Sequence, residues 1–329
     1  MNTRPPSATS RRRLLFAAGL LPAVGLNRPI YAQESTPIPA RPALEPLPAA
    51  APSADGPLKV VTTTPILADI TRQLGGERVE VKSILPAGAD AHDFEPAPED
   101  LVTIEDAALV VEHGLDLDTW AADLVGTAGD KRVVVATDGV TVIPSDEGDS
   151  APDPHVWFDP ANVKVMAANI AADLTAIDPD GQISYEARRD AFGRQLDALD
   201  QWISAQIATV PPENRKLVTN HDAFSYFVQR YGLTLVGSVI PSIDSRAEPS
   251  AKETAELIEQ IKAENVPAIF TETTINPELE RELAEQAGVA VVPGLYSDSL
   301  GEEGSGAETY IGMMIANTIL IVSSLRQSA

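Results

Sequence analysis

The imidazoles that could hold a metal ion are so few in this chain that each can be weighed singly. The 329 residues include 4 histidines and no cysteine. Thiolate metal sites, iron–sulfur clusters, disulfides and cysteine nucleophiles are therefore excluded. His92 lies in Pro86-Ala87-Gly88-Ala89-Asp90-Ala91-His92-Asp93-Phe94-Glu95-Pro96. His155 lies in Asp153-Pro154-His155-Val156-Trp157-Phe158-Asp159-Pro160, and His221 in Thr219-Asn220-His221-Asp222-Ala223-Phe224. Asp298 lies in Gly294-Leu295-Tyr296-Ser297-Asp298-Ser299-Leu300. Each stretch follows a β-branched run that reads as a strand, and parallel α/β sheets bind ligands beyond the carboxyl ends of their strands. Three imidazoles and one carboxylate make a closed tetrahedral set suited to Zn2+. His113, in Val111-Glu112-His113-Gly114, also follows a strand, so position alone does not separate it from the others.

The donor set bears on the metal and on the chemistry. Neutral imidazoles suit Zn2+, Cu2+ and Ni2+, whereas oxygen-rich shells suit Mn2+ and Mg2+. Zinc is the first expectation and manganese the alternative. One aspartate leaves a site holding a divalent ion near +1, which limits the burial penalty. Each imidazole must present a free nitrogen, so affinity is expected to fall as pH drops through about 6 to 7. Glu95, Asp159 and Glu272 are expected to accept the far N–H groups of the imidazoles. A zinc hydrolase keeps three protein ligands, an open water position and a general base. Four protein ligands close the shell, and no HExxH, G-x-S-x-G or Walker pattern occurs. Capture without catalysis is therefore expected, and no catalytic residue is assigned.

Alternating strand and helix patterns must position these residues. Strands are expected at 58–63, 79–85, 109–112 and 131–136, with helices at 65–74, 119–125 and 160–177. After Pro211-Pro212 come strands at 216–219, 233–239, 268–272 and 289–292 and helices at 224–231, 250–264, 277–286 and 307–325. Two such runs imply an α/β fold of two lobes with mostly parallel sheets flanked by helices. Ser250 and Glu253 have the spacing of a capping box. A long helix at 183–207 would reach about 37 Å and is read as a rigid link between the lobes, with the site in the cleft. The expected organisation is a leader at 1–32, a Pro/Ala-rich tether at 33–57, lobes at 58–182 and 211–329, and the linker at 183–210. The folded region is expected to begin near Leu58.

The leader carries Ser10-Arg11-Arg12-Arg13-Leu14-Leu15 before a short apolar run. It is expected to be a cleaved twin-arginine-like export signal, giving a periplasmic or extracytoplasmic protein that is not lipid-anchored through Cys. Lys and Arg number 24 against 48 Asp and Glu, a net charge of −24. The leader holds five arginines and no acid, so export takes the charge to −29. Such acidity disfavours nucleic acid as a partner.

The four loop motifs resemble, in the same order, those of the zinc- and manganese-capturing ZnuA-like solute-binding proteins of ABC transporters. The stretch 153–160 is the most specific of them, and the similarity runs over about 58–325. The resemblance implies two α/β lobes bridged by one long helix, with the metal in the cleft and a membrane permease as partner. Its metal ligands fall on His92, His155, His221 and Asp298. His113 falls where the family commonly has Asn, outside the ligand set. Where zinc members have a His-rich loop, 144–154 is acidic, with Asp146, Glu147, Asp149 and Asp153, and could gather cations. A monomer is expected. A metal-binding adhesin or metallochaperone on the same fold is the rival reading.

Overall fold

The structure, a computed structural model, describes residues 40–144 and 152–326. The expected leader, the start of the Pro-rich segment, and Asp146, Glu147 and Asp149 lie outside the described residues.

The first lobe runs β1 (Leu58–Thr62), α1 (Pro65–Gly75), β2 (Val79–Ser83), α2 (Pro98–Glu105), β3 (Leu109–Glu112), α3 (Thr119–Ala128), β4 (Val133–Val135) and α4 (Pro160–Ile177). Its strands form one parallel sheet in the order β2-β1-β3-β4. Helix α5 (Gln182–Ile207) follows. The second lobe runs β5 (Lys216–Thr219), α6 (Ser225–Tyr231), β6 (Thr234–Ser238), α7 (Ala251–Glu264), β7 (Ala268–Glu272), α8 (Glu278–Ala287), β8 (Ala290–Leu295) and α9 (Tyr310–Arg326). Here β5 pairs with β6 and β7 with β8, both parallel. Because β5 also lies beside β7, the second lobe repeats the strand arrangement of the first.

Local chemistry sets the helix starts. Thr64 Oγ1 accepts from the Leu67 N–H at 3.3 Å, and Pro65 opens α1 with its φ already fixed. Ser250 and Glu253 close the expected capping box on α7. Helix α2 has no counterpart in the sequence reading. It has Pro98 in its first turn with Glu99 and Asp100, yet buries only Ile104, so no 3.6-residue apolar period marks it.

One apolar cluster runs through both lobes. It takes Leu67, Trp157 and Phe158 from the first half, Leu196 and Ile203 from α5, and Phe224, Phe227, Met314 and Ile321 from the second. Phe158 and Phe224 meet with ring centroids 4.3 Å apart. Helix α5 packs on α1 and α4 and also on α6 and α9. No helix among the described residues is long and apolar enough to cross a membrane.

The Pro-rich segment corrects an expectation. It was expected to be a tether without packed core, but its described part lies along α5 as a strap. Trp202 Nε1 donates to Ala40 O at 2.6 Å, Gln195 to Glu45 O, Arg188 to Pro48 O, and Arg78 Nη1 to Ala51 O at 3.1 Å. Leu44 and Leu47 pack on the core, and Ala50 is buried. Pro42, Pro46, Pro48 and Pro52 of the described part favour an extended chain, and extended chain can still dock when a helix offers donors to its free carbonyls.

Candidate metal centre

The structure brings the four expected residues together, each carried by a loop beyond a strand end. One donor atom from each of His92, His155, His221 and Asp298 lies within 4.8 Å of all the others. His155 Nε2 is 3.4 Å from His92 Nε2 and 3.3 Å from His221 Nε2. Asp298 Oδ1 is 3.3 Å from His155 Nε2, and Oδ2 is 3.4 Å from His221 Nε2. A tetrahedron with metal–nitrogen lengths of about 2.0–2.1 Å has edges of about 3.3–3.4 Å. The donor set therefore has the size of a first-row metal shell. Asp298 Oδ1 is buried and has no hydrogen-bond partner, an arrangement that costs free energy unless a cation completes it.

Two further carboxylates orient the rings. Asp153 Oδ1 accepts from the His155 backbone N–H at 2.9 Å and from its Nδ1 at 2.7 Å. That leaves Nε2 turned to the centre of the cluster. Glu272, the last residue of β7, places Oε2 2.9 Å from His221 Nδ1, at an angle that gives Nδ1 no well-directed hydrogen bond. Glu272 Oε1 accepts from the His221 backbone N–H at 3.2 Å, and Ser297 Oγ donates to Oε2 at 2.5 Å. Of the three expected acceptors, Glu272 alone reaches an imidazole. Asp159 instead caps α4 through the Ala161 N–H at 2.8 Å, and Glu95 is exposed. Asp153 was grouped with the acids of the 144–154 loop. It is buried at 2% exposure, and its place two residues before His155 was the signal that could have found it.

Burial and charge pull on the imidazoles in opposite directions. Desolvation alone would lower all three. For His92 it prevails, and the ring is lowered to about 4. For His155 the charge and hydrogen bond of Asp153, with the charge of Asp298, outweigh burial and raise it to about 10. For His221, Glu272 and Asp298 raise it to about 9. Burial works against ionised Asp298, but the facing His221 and His155 hold its carboxyl well below the usual range.

His92 is the one ligand candidate with partial exposure. It borders a cavity of about 710 Å³ lined by Phe94, Trp120, Asp116, Asp244 and Arg246 among others. His113 is buried outside the donor cluster. Its Nε2 meets the carbonyl of Pro154 at 2.8 Å.

The chain is similar to proteins already known. Residues 60–324 match the family model described as ZnuA, zinc-uptake complex component A, periplasmic. The manganese-binding lipoprotein MntA of Halalkalibacterium halodurans is 37% identical over 270 residues, which is 82% of this chain and 89% of that protein. The periplasmic zinc binding protein TroA from Treponema pallidum superposes with a TM-score of 0.78 at 29% identity, over 82% of this chain and 99% of that one. A Mn-bound periplasmic metal binding protein from Candidatus Liberibacter asiaticus superposes with a TM-score of 0.74 at 26% identity, with the same two coverages.

Proposed function

The chain belongs to the ZnuA family of metal-binding, substrate-binding proteins of ABC transporters, which are not enzymes, and from that premise we propose that His92, His155, His221 and Asp298 are the ligands of the captured ion. The observation that carries this reading is the convergence of three Nε2 atoms and one unpartnered carboxylate oxygen at tetrahedral spacing. The ion is cargo, taken up outside the cytoplasmic membrane and handed to a membrane permease.

Zinc is the preferred cargo, because three nitrogen donors and one oxygen suit it better than manganese. The names of relatives point both ways: MntA is named for manganese and TroA for zinc. Those relatives also include lipoproteins, whereas this chain has no cysteine to carry a lipid. Export by the paired arginines of the leader is the reading that fits. One chain supplies all four donors, which supports a monomer. The apolar cluster shared by both lobes, with α5 packed on each, supports a small rather than a wide opening on release.

Titration of metal-free protein with Zn2+ and Mn2+ by calorimetry tests the reading. One ion per chain is expected, with loss of binding in His92→Ala plus His155→Ala. A stoichiometry far from one, or full binding by that double variant, overturns it.

A further inference from the structure

The fourth histidine is not among the proposed ligands, yet it is among the most buried polar residues of the chain, at 1% exposure. It stands just beyond β3 and is fixed on all sides. Its backbone N–H donates to Asp118 Oδ2 at 2.5 Å, and its carbonyl accepts from Thr137 Oγ1 at 2.6 Å. Its ring crosses 41 residues of sequence to reach Pro154. A carbonyl only accepts, so Nε2 is the donor in this 2.8 Å bond.

Pro154 O is also the acceptor of the Val156 N–H at 2.8 Å. That i to i+2 bond closes an inverse γ-turn with His155 at its centre, where φ is −78° and ψ is 40°. A γ-turn spans only three residues, so the contacts around it decide how firmly it holds. The ring of His113 also stands edge-on to Trp157 at 5.1 Å between centroids, and Trp157 stands edge-on to the His155 ring at 5.3 Å. The far side of the same turn is held by Asp153, which takes the His155 N–H and Nδ1.

We propose that His113 is a positioning residue for metal capture: it clamps the Pro154 carbonyl, and with it the γ-turn that presents the His155 ring to the ion. This rests on the reading of His155 as a ligand. The clamp ties the donor loop to the end of a buried central strand. Errors of well under an ångström at one donor matter to a shell of fixed size.

Two variants separate positioning from bulk. His113→Leu keeps an apolar body and removes the donor. His113→Gln keeps an N–H at similar reach. Three measurements decide: Zn2+ affinity by competition, the visible spectrum of the Co2+ form, and the 15N signals of the His155 ring in metal-free protein. Ile261→Val, in the separate apolar cluster of the second lobe, controls for general loss of stability. His113→Leu is expected to lose affinity by about 10- to 100-fold, the range for groups that support a ligand. Its Co2+ bands should weaken and shift, and His113→Gln should recover most of both. Wild-type affinity and spectrum in His113→Leu, or losses no larger than those of Ile261→Val, overturn the proposal. If the wild-type protein takes up no metal, the ligand reading fails first. The His155 signals of the metal-free protein still test the clamp: displaced signals in His113→Leu support it, and unchanged ones overturn it.

Discussion

His155 and His221 face each other Nε2 to Nε2 at 3.3 Å, and each turns its Nδ1 towards a carboxylate, Asp153 at 2.7 Å and Glu272 at 2.9 Å. The two far carboxylates and Asp298 hold both imidazoles protonated in the metal-free protein, His155 to about 10 and His221 to about 9. Two imidazolium charges are what a divalent ion would replace. The exchange leaves the net charge of the buried site unchanged.

Proton release follows from that exchange. At pH 7 about two protons should leave per ion bound, measured by calorimetry in buffers of different ionisation enthalpy. The raised groups are protonated below about 9, so affinity should fall steadily as pH drops below that value. His92, lowered to about 4, should add its own loss only near that pH. The sequence-based expectation of a fall at about 6 to 7 is thereby moved upward. Binding at pH 7 without proton uptake by the buffer would contradict the pairing described here.

Asp153→Asn should weaken capture by about 10- to 100-fold by removing the charge behind His155. Glu95→Gln should leave affinity unchanged, since Glu95 is exposed and touches no imidazole. Equal affinities for the two variants would remove Asp153 from the orienting role.

Gly76 tests the strap. A Cβ there would come within 2.8 Å of Ala50 Cβ, and its φ is +55°, a region that side-chain-bearing residues resist. Gly76→Ala should cost about 1–3 kcal/mol of stability, read as a lowered Tm, with zinc affinity retained. Trp202→Phe removes the bond to Ala40 O and should cost about 1 kcal/mol. A Gly76→Ala variant as stable as the wild type would mean that the strap does not bind as described.

Arg11→Lys with Arg12→Lys should stop export while leaving the folded protein able to bind metal. Fractionation of cells with an antibody to the chain reads this directly. Unimpaired export would rule out the twin-arginine reading.

Much of the site was legible because its chemistry is local. Each ligand candidate sits in a Pro-, Gly- or Asp-rich loop after a β-branched strand, and such patterns are visible in a few residues. The long helices at 160–177 and 183–207 likewise declare themselves by length. What stayed hidden depends on distant partners. That Asp153 turns inwards shows only once His155 is placed. Helix α2 has no apolar period to announce it. The strap at 40–51 needs the donors of Arg78, Arg188, Gln195 and Trp202, all far along the chain. His113 is as buried as His155 and His221, and the path of its ring to Pro154 takes it out of the donor cluster.

The Phe158–Phe224 contact has a thermodynamic consequence. An apolar cluster that passes through both lobes gives neither lobe a melting point of its own. Unfolding should appear in a calorimeter as one transition. An ion bound at the four proposed donors would then stabilise the entire chain, by about 2.7 kcal/mol when free metal stands at 100 times the Kd. The empty carrier is the more fragile form, so metal supply and carrier lifetime are linked through the core as well as through the cleft.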